Sequence, residues 1–275
     1  MIEWGTLFTL FPIGIAVGFV ASLLGLGGGV FMTPLLLLGG FVSAFVAPGA
    51  SAASAQPHAA GTSVAAVVFT GLISSISYFR QKAIDFRIGL LFMPTSIGGV
   101  FLGKYIIATV NPSWLTIAFG VFLLYPMSMM LMGKTPKDAK VRLKGWSSGP
   151  RYYVLVAVLG LVAGTATKIF GIGGGTVFVP SLVVLLGIDM VTAVATSLFV
   201  MIPIALISAI TSWMAGTLHW ELALPLILGI IIGAQIGPRV GMRIPTKRLR
   251  QIFGVVLLYA ALNMIVKGIG SLSAI

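Results

Sequence analysis

The sequence predicts an all-α polytopic membrane protein built from two inverted-topology repeats of about five helical segments each, with glycine-rich helix breaks. Composition is the first observation: 58% of the residues are hydrophobic, only 8% are charged, and the mean hydropathy is +1.12. A soluble domain does not need so much apolar surface. The second observation is a glycine-rich motif that occurs twice, and the third is the clustering of most basic residues in three loops.

The apolar runs separate into about ten candidate membrane spans, divided by turn-forming and charged residues. We place them at 7–24, 30–46, 59–79, 88–107, 114–132, 152–170, 174–188, 191–214, 221–240 and 250–267. The connections are short except for 133–151, which is rich in Lys and Arg. The sequence therefore predicts a first transmembrane repeat at 1–132, a basic cytoplasmic linker at 133–151 and a second transmembrane repeat at 152–275.

The basic residues predict the orientation in the membrane. They cluster at 80–87, 133–151 and 239–250, and loops rich in Lys and Arg face the cytoplasm. Loops without Lys or Arg lie around 47–58, 108–113 and 215–220, so both termini are expected outside a bacterial inner membrane. Because the basic clusters alternate with apolar spans, the net charge of +12 indicates anchoring and not a nucleic-acid surface. No basic segment precedes the first apolar run, so we expect that run to stay as a span and not to be a cleaved signal.

The glycine motif reads G-x-G-G-G-x-x-x-x-P at Gly25–Pro34 and again, 146 positions later, at Gly171–Pro180. Further matches between the halves follow at the same offset or, downstream, at an offset of 134. They include Gly14 and Gly18 with Gly160 and Gly164, Thr62-Ser63 with Thr196-Ser197, and Gly99 and Gly103 with Gly233 and Gly237. An odd number of segments per half inserts one repeat upside down relative to the other. Inverted repeats are typical of secondary transporters, whose sites lie near the bilayer midplane at broken helices. Reading each glycine region as a re-entrant hairpin leaves three crossings per half and the same loop assignments.

The glycine motifs are candidate anion sites. Each glycine costs about 1 kcal/mol relative to alanine in a helix, so four in five residues predict a break. A P-loop would end in G-K-[ST] and a dinucleotide fingerprint would need a further glycine, and both are missing here. Consecutive glycines can offer backbone N–H groups to an anion, next to a helix that begins after them. For Gly14, Gly18, Gly160 and Gly164, close helix packing is the competing interpretation.

Lys168 is the most informative single residue, because it lies deep in an apolar run three residues before Gly171. A charge at that depth costs about 2.5–3.5 kcal/mol on insertion scales, so it is expected to face a polar cavity. The alternative is a Lys whose long stem reaches the nearer interface. The predicted substrate-binding residues are Gly25, Gly27, Gly28, Gly29, Thr62, Ser63, Lys168, Gly171, Gly173, Gly174, Gly175, Thr196 and Ser197.

The remaining polar residues give no catalytic or metal-binding pattern. The five acidic residues all fall in loops or at span ends, which favours an anionic over a cationic substrate. His58 and His219 lack a nucleophile at recognisable spacing and do not belong to a metal-ligand cluster. A pH-sensitive gate with Glu221 beside His219 is a weaker alternative. The sequence contains no Cys, so disulfides and thiol chemistry are excluded. No enzyme activity, cofactor or metal is expected.

The paired motifs, the Thr-Ser pairs and the basic central loop resemble the sulfite exporter TauE/SafE family over about Gly14 to Gly268. The resemblance implies a multi-pass transporter of sulfur-containing anions such as sulfite, thiosulfate or sulfoacetate, working by alternating access. A passive anion channel uses the same residues and stays an alternative, and a membrane-embedded enzyme is less favoured. The expected partners are a small anionic substrate and the lipid bilayer, with no nucleic acid. A coupling proton and a homo-oligomer are left open.

Overall fold

The structure, a computed structural model, describes residues 4–42, 52–109, 112–131, 150–171 and 173–273. Within those ranges the chain is helical and contains no strand, which confirms the all-α prediction. The first half contains helices α1 to α5, at Trp4–Leu24, Gly29–Leu38, Ala52–Arg80, Phe86–Thr109 and Pro112–Leu131. The second half contains α6 to α10, at Pro150–Phe170, Gly175–Pro180, Met190–Met214, Trp220–Gly241 and Thr246–Ser273, and α7 continues as a π-helix over Ser181–Leu185.

Six of the described helices are long and apolar enough to cross a membrane: α3, α4, α6, α8, α9 and α10. The chain is therefore a multi-pass membrane protein. The helices start and end where the sequence offers caps and breaks. At α8, for example, the side chain of Asp189 accepts a hydrogen bond from the backbone N–H of Val191 at 3.0 Å.

The two helices that follow the glycine motifs are shorter than predicted. α2 has 10 residues, and α7 with its π-helical continuation ends at Leu185. At 1.5 Å per residue each is about 15 Å long, which is half of a bilayer core of about 30 Å. Neither helix crosses the membrane alone, so continuous spans over 30–46 and 174–188 are wrong where the structure describes them. Hydropathy identifies an apolar run, but it does not show whether lipid or protein surrounds that run.

The first helix of each half packs on the fourth helix of the other half: α1 lies against α9, and α6 lies against α4. Gly14 and Gly18 face the backbone of Leu226 and Ile230 on α9. A Cβ at Gly14 would lie 2.5 Å from the carbonyl oxygen of Leu226, so only glycine allows this approach. These glycines therefore act in helix packing, the competing interpretation of the sequence pattern.

The contact between α4 and α6 gives a prediction with a control in the next residue. A Cβ at Gly99 would collide with the carbonyl oxygen of Leu161 and lie 2.9 Å from the backbone N of Thr165, whereas at Gly98 it would meet only Leu161 Cδ2 at 3.7 Å. Gly99→Ala should therefore destabilise the protein by about 1–3 kcal/mol through overpacking. Gly98→Ala should be neutral or stabilising by up to about 1 kcal/mol, because alanine favours the helix. Thermal unfolding in detergent measures both, and equal midpoints for the two variants would contradict the packing argument.

The centre of the described structure is the antiparallel pair α3 and α8, which are the most buried of the six spanning helices. His58 near the start of α3 meets His219 just after α8, while Thr196 near the start of α8 meets Asp85 just after α3. Val67 and Met201, equivalent in the two halves at the 134 offset, lie at the middle of the pair, next to both glycine motifs.

The linker at 133–151 lies outside the described residues except for its last two, which begin α6. Of the loop predicted at 47–58, the structure describes 52–58, and these residues form the start of α3 and not a loop. The division into two repeats with a cytoplasmic linker, and the inverted topology of those repeats, stay predictions.

Candidate functional site

Each glycine motif breaks the chain between two helices. Positive φ angles, which glycine adopts without a steric cost, occur at Gly25, Gly27, Gly28, Gly171, Gly173 and Gly174. Gly28 and Gly174 are left-handed residues that precede α2 and α7. The predicted helix breaks are therefore present in both halves.

The two breaks lie against each other in the interior. A Cβ at Gly27 or at Gly173 would collide with the Cε of Met201 and lie 3.0 Å from Val67 Cγ1. A Cβ at Gly175 would collide with the carbonyl oxygen of Gly25. A side chain at Gly27 or at Gly173 would therefore be obstructed.

The second residue of each Thr-Ser pair holds the glycine motif of the other half. Ser197 donates a hydrogen bond to the carbonyl of Gly25 at 2.8 Å, and Ser63 lies 3.2 Å from the carbonyl of Gly171, to which it can donate. The hydroxyl oxygens of Ser63 and Thr33 are 2.9 Å apart. Thr33 stands directly before the motif proline, and the sequence reasoning did not single it out.

The first residue of each Thr-Ser pair accepts a hydrogen bond from a backbone N–H of the other half. In both cases the donor is the residue directly before the fourth helix of that half. The hydroxyl of Thr62 accepts from the N–H of His219 at 3.2 Å, and that of Thr196 accepts from the N–H of Asp85 at 3.0 Å. All four hydroxyl groups are buried, and each has a protein partner. In this structure the pairs hold the two halves together, and a role in substrate binding stays a prediction for them.

Lys168 reaches α8 across the interface between α6 and α8. Its ammonium group donates to Thr211 Oγ1 and Ser212 Oγ, both at 2.9 Å, and lies 3.4 Å from the carbonyl of Ser208. The side chain is only partly buried, because it lines a cavity of about 180 Å³. A cavity of this size holds several water molecules, so a small ion with part of its hydration shell fits.

The cavity carries a second cation, Lys104 of α4, which the sequence reasoning missed. Its signal was the same as that of Lys168, a charge within an apolar run. Among the residues that the structure describes, no Asp or Glu lines the cavity; the other described lining residues are Gln56, Pro57, Ala60, Gly61, Val64, Ile107, Ile169, Thr211, Ser212, Ala215 and Thr217. Hydroxyl and ammonium donors around a space without carboxylates are suited to an anion.

Of the predicted substrate-binding residues, Lys168 lines this cavity directly. Gly171 and Ser63 lie one layer behind it, since a Cβ at Gly171 would be 2.6 Å from Cα of Ala60, a lining residue. The other motif glycines are buried between the helices. Their contact with a substrate stays a prediction.

Comparison with known proteins agrees with this architecture. A family model described as Sulfite exporter TauE/SafE matches residues 10–264. The chain belongs to the TauE/SafE family. It is a multi-pass membrane transporter protein of that type.

Two relatives of this TauE/SafE protein carry transporter names. The probable membrane transporter protein YunE of Bacillus subtilis is 31% identical over 274 residues, which cover 95% of this chain and 98% of the relative. A probable membrane transporter protein of Xylella fastidiosa (strain Temecula1) is 27% identical over 261 residues, with 94% of each chain covered. No solved structure matches.

A histidine pair adjoins the cavity of this TauE/SafE protein. Nδ1 of His58 and Nε2 of His219 are 2.8 Å apart, and the rings stack with centroids 5.0 Å apart. The neighbouring residues Pro57 and Gly61 line the cavity. Burial lowers the pKa of His219, the charge of His58 lowers it further, and Glu221 opposes the shift.

The shift at His219 predicts a loss of stability in acid. Because its pKa is lower in the folded than in the unfolded state, the unfolded chain binds more protons as the pH falls below about 6.5. Stability should therefore decrease from pH 7 to pH 5, and His219→Gln should reduce that decrease. Thermal unfolding in detergent across this range measures the effect, and the same pH dependence in both proteins would contradict it.

Proposed function

We propose that this TauE/SafE protein is a secondary transporter of small anions, and that its substrates are sulfur oxyanions or organosulfonates such as sulfite, thiosulfate or sulfoacetate. The observation that carries the proposal is the cavity that Lys104 and Lys168 line, with no carboxylate among its described lining residues. The sulfur chemistry rests on the family description and on no residue of the site.

The electrostatics of the cavity support an anion as the substrate. Two unit charges about 4 Å apart interact by about 4 kcal/mol at an effective dielectric of 20. Part of that energy is lost to the desolvation of both ions. The hydroxyl groups of Thr211 and Ser212, which already accept from Lys168, can turn toward a bound oxyanion as further donors.

The described acidic residues do not offer a cation site at this depth. Asp85 and Asp189 lie at the starts of α4 and α8, where their side chains accept backbone hydrogen bonds. Glu221 lies in the first turn of α9 and is exposed. A cation transporter or a proton pump usually uses a carboxylate within the membrane.

Alternating access is the proposed mechanism, with the glycine breaks as the points where helices move. The matched contacts in the two halves support two symmetry-related arrangements of the same helices. Ser197 and Gly25 in one place correspond to Ser63 and Gly171 in the other. A structure in which equivalent contacts recur can exchange two states of similar energy.

The direct test is flux in liposomes that contain the purified protein. Sulfite, thiosulfate, sulfate, sulfoacetate and a carboxylate of similar size are each offered with and without a pH gradient. We expect uptake of at least one sulfur anion, saturation at high concentration and accumulation against its gradient when a driving ion is present. Flux that only follows the anion gradient would indicate a channel. Chemical conversion of the substrate in the same vesicles would indicate an enzyme, and the absence of any anion flux would contradict the proposal.

We also propose the orientation that the basic loops predict, in a bacterial inner membrane. The chain contains no Cys, so single cysteines report their side of the membrane without background. Arg80→Cys at the end of α3 should react with an impermeant maleimide only in inside-out vesicles. Ala215→Cys after α8 should react only in right-side-out vesicles, and both positions are exposed. Reaction of the two positions from the same side would contradict an antiparallel α3–α8 pair that crosses the membrane.

A further inference from the structure

The cavity lies at one end of the α3–α8 pair. It is lined from the start of α3, at Gln56 and Pro57, and from the end of α8, at Thr211 and Ser212. The opposite end of the pair contains the last turns of α3 and the start of α8. If the two halves are equivalent, a matching space belongs at that opposite end.

Repeat-related residues contact each other at both ends. Ser212 corresponds to Tyr78 at the 134 offset, and Lys168 corresponds to Ser22 at the 146 offset. Lys168 donates to Ser212 beside the cavity at 2.9 Å, and the hydroxyl of Tyr78 donates to the carbonyl of Ser22 at 3.3 Å. The small Ser212 leaves a cavity at its end, whereas a phenol ring stands at the equivalent position of the other end.

The surroundings of Tyr78 match the cavity lining in a second way. Gly241 corresponds to the cavity residue Ile107, and a Cβ at Gly241 would lie 3.2 Å from the hydroxyl oxygen of Tyr78. Ser22 is fully buried, and Tyr78 is only 1% exposed although it is one of the largest side chains of the interior. The phenol oxygen thus lies beside the small residues Ser22 and Gly241, so removal of the ring would leave a space where the other end has its cavity.

We propose that Tyr78 is a gate: its side chain closes a second vestibule at the end of α3, opposite the cavity at Lys168. The described structure is then the state that is open at the Lys168 end and closed at the Tyr78 end. In the alternate state the phenol leaves Ser22 and Gly241, and the second vestibule opens to the side of Arg80. This inference rests on the alternating-access mechanism proposed above.

The gate is tested by thiol accessibility, which needs no substrate. Ser22→Cys provides the one thiol of the chain and conserves the size of the residue. With Tyr78 unchanged, we expect this cysteine to react slowly with an impermeant maleimide from either side of the membrane. Adding Tyr78→Ala should accelerate the reaction roughly tenfold or more, from the side on which Arg80→Cys reacts and from that side only.

Two further variants keep the test decisive. Phe79→Ala removes a neighbouring aromatic side chain that is 60% exposed, and it should leave Ser22→Cys slow. Tyr78→Phe removes only the hydrogen bond to Ser22 and should accelerate labelling by about twofold to tenfold, the effect of one such bond. If Tyr78→Ala does not fold, the Tyr78→Phe result decides. Rates no higher than with Phe79→Ala, in protein that unfolds cooperatively, would overturn the proposal, as would acceleration from both sides.

The labelling result and the flux result separate the two proposals. Side-specific opening without anion flux in the wild-type protein would leave the gate in place and refute the proposed substrate class. Saturable anion flux with no effect of Tyr78 on labelling would refute the gate alone.

Discussion

Lys168→Met should abolish anion uptake or raise its half-saturation concentration by more than tenfold. Methionine keeps the length of the side chain and removes the charge. The ammonium group lines the cavity and is fixed by hydrogen bonds to Thr211 and Ser212, so a bound anion would meet it in a defined position. Two unit charges about 4 Å apart attract each other by about 4 kcal/mol, of which about 2 kcal/mol remains after desolvation. The loss of that remainder in the variant weakens binding more than tenfold. Uptake into liposomes at matched protein content measures the effect.

Two companion variants separate the site from the net charge of the protein. Lys168→Arg keeps the charge with a larger, planar head group and should retain part of the uptake. Lys247→Met removes an exposed Lys at the start of α10, away from the cavity, and should transport normally. Wild-type kinetics in Lys168→Met would remove this residue from the site and return it to the interpretation of a Lys that reaches for the interface.

The sequence predicted the order and type of the helices well because apolar runs in this chain are long and are interrupted by glycines and charges. It could not predict the length of α2 and α7. Their residues are as apolar as those of a membrane span, but Val177, Phe178 and Val179 are buried within the protein. Hydropathy does not distinguish burial in protein from burial in lipid.

The candidate site was only partly predictable for a similar reason. Lys168 was recognised because a charge in an apolar run is costly, and Lys104 offered the same signal. Thr211 and Ser212 gave no signal, because hydroxyl groups in membrane helices usually bond to their own backbone. Thr211 does so here, toward Ser208 at 3.0 Å, and only the packing of α6 on α8 also brings it to Lys168.

Gly175→Ala should have the largest effect on stability among the glycine substitutions of the two motifs. Gly175 is the first residue of α7, and its φ is not among the positive values, so alanine suits its local conformation. The obstacle is the other motif: the new Cβ would collide with the carbonyl oxygen of Gly25 and lie 2.8 Å from the Cα of Leu26. These atoms belong to the backbone and cannot rotate away. We expect a loss of about 3 kcal/mol or more, at the upper end of overpacking effects, with little or no transport.

The collision in Gly175→Ala should push the two motifs apart and so break a specific hydrogen bond. This makes the prediction testable in detail. Moving the carbonyl of Gly25 away from α7 displaces the acceptor of Ser197, which now lies at 2.8 Å. Ser197→Ala in the wild-type background should therefore cost about 1 kcal/mol, but almost nothing once Gly175→Ala is present. Thermal unfolding of the two single variants and the double variant completes the cycle, with Gly98→Ala as the control for an added methyl group. Additive losses would show that the motifs do not move apart, and an unchanged midpoint for Gly175→Ala would contradict the close approach itself.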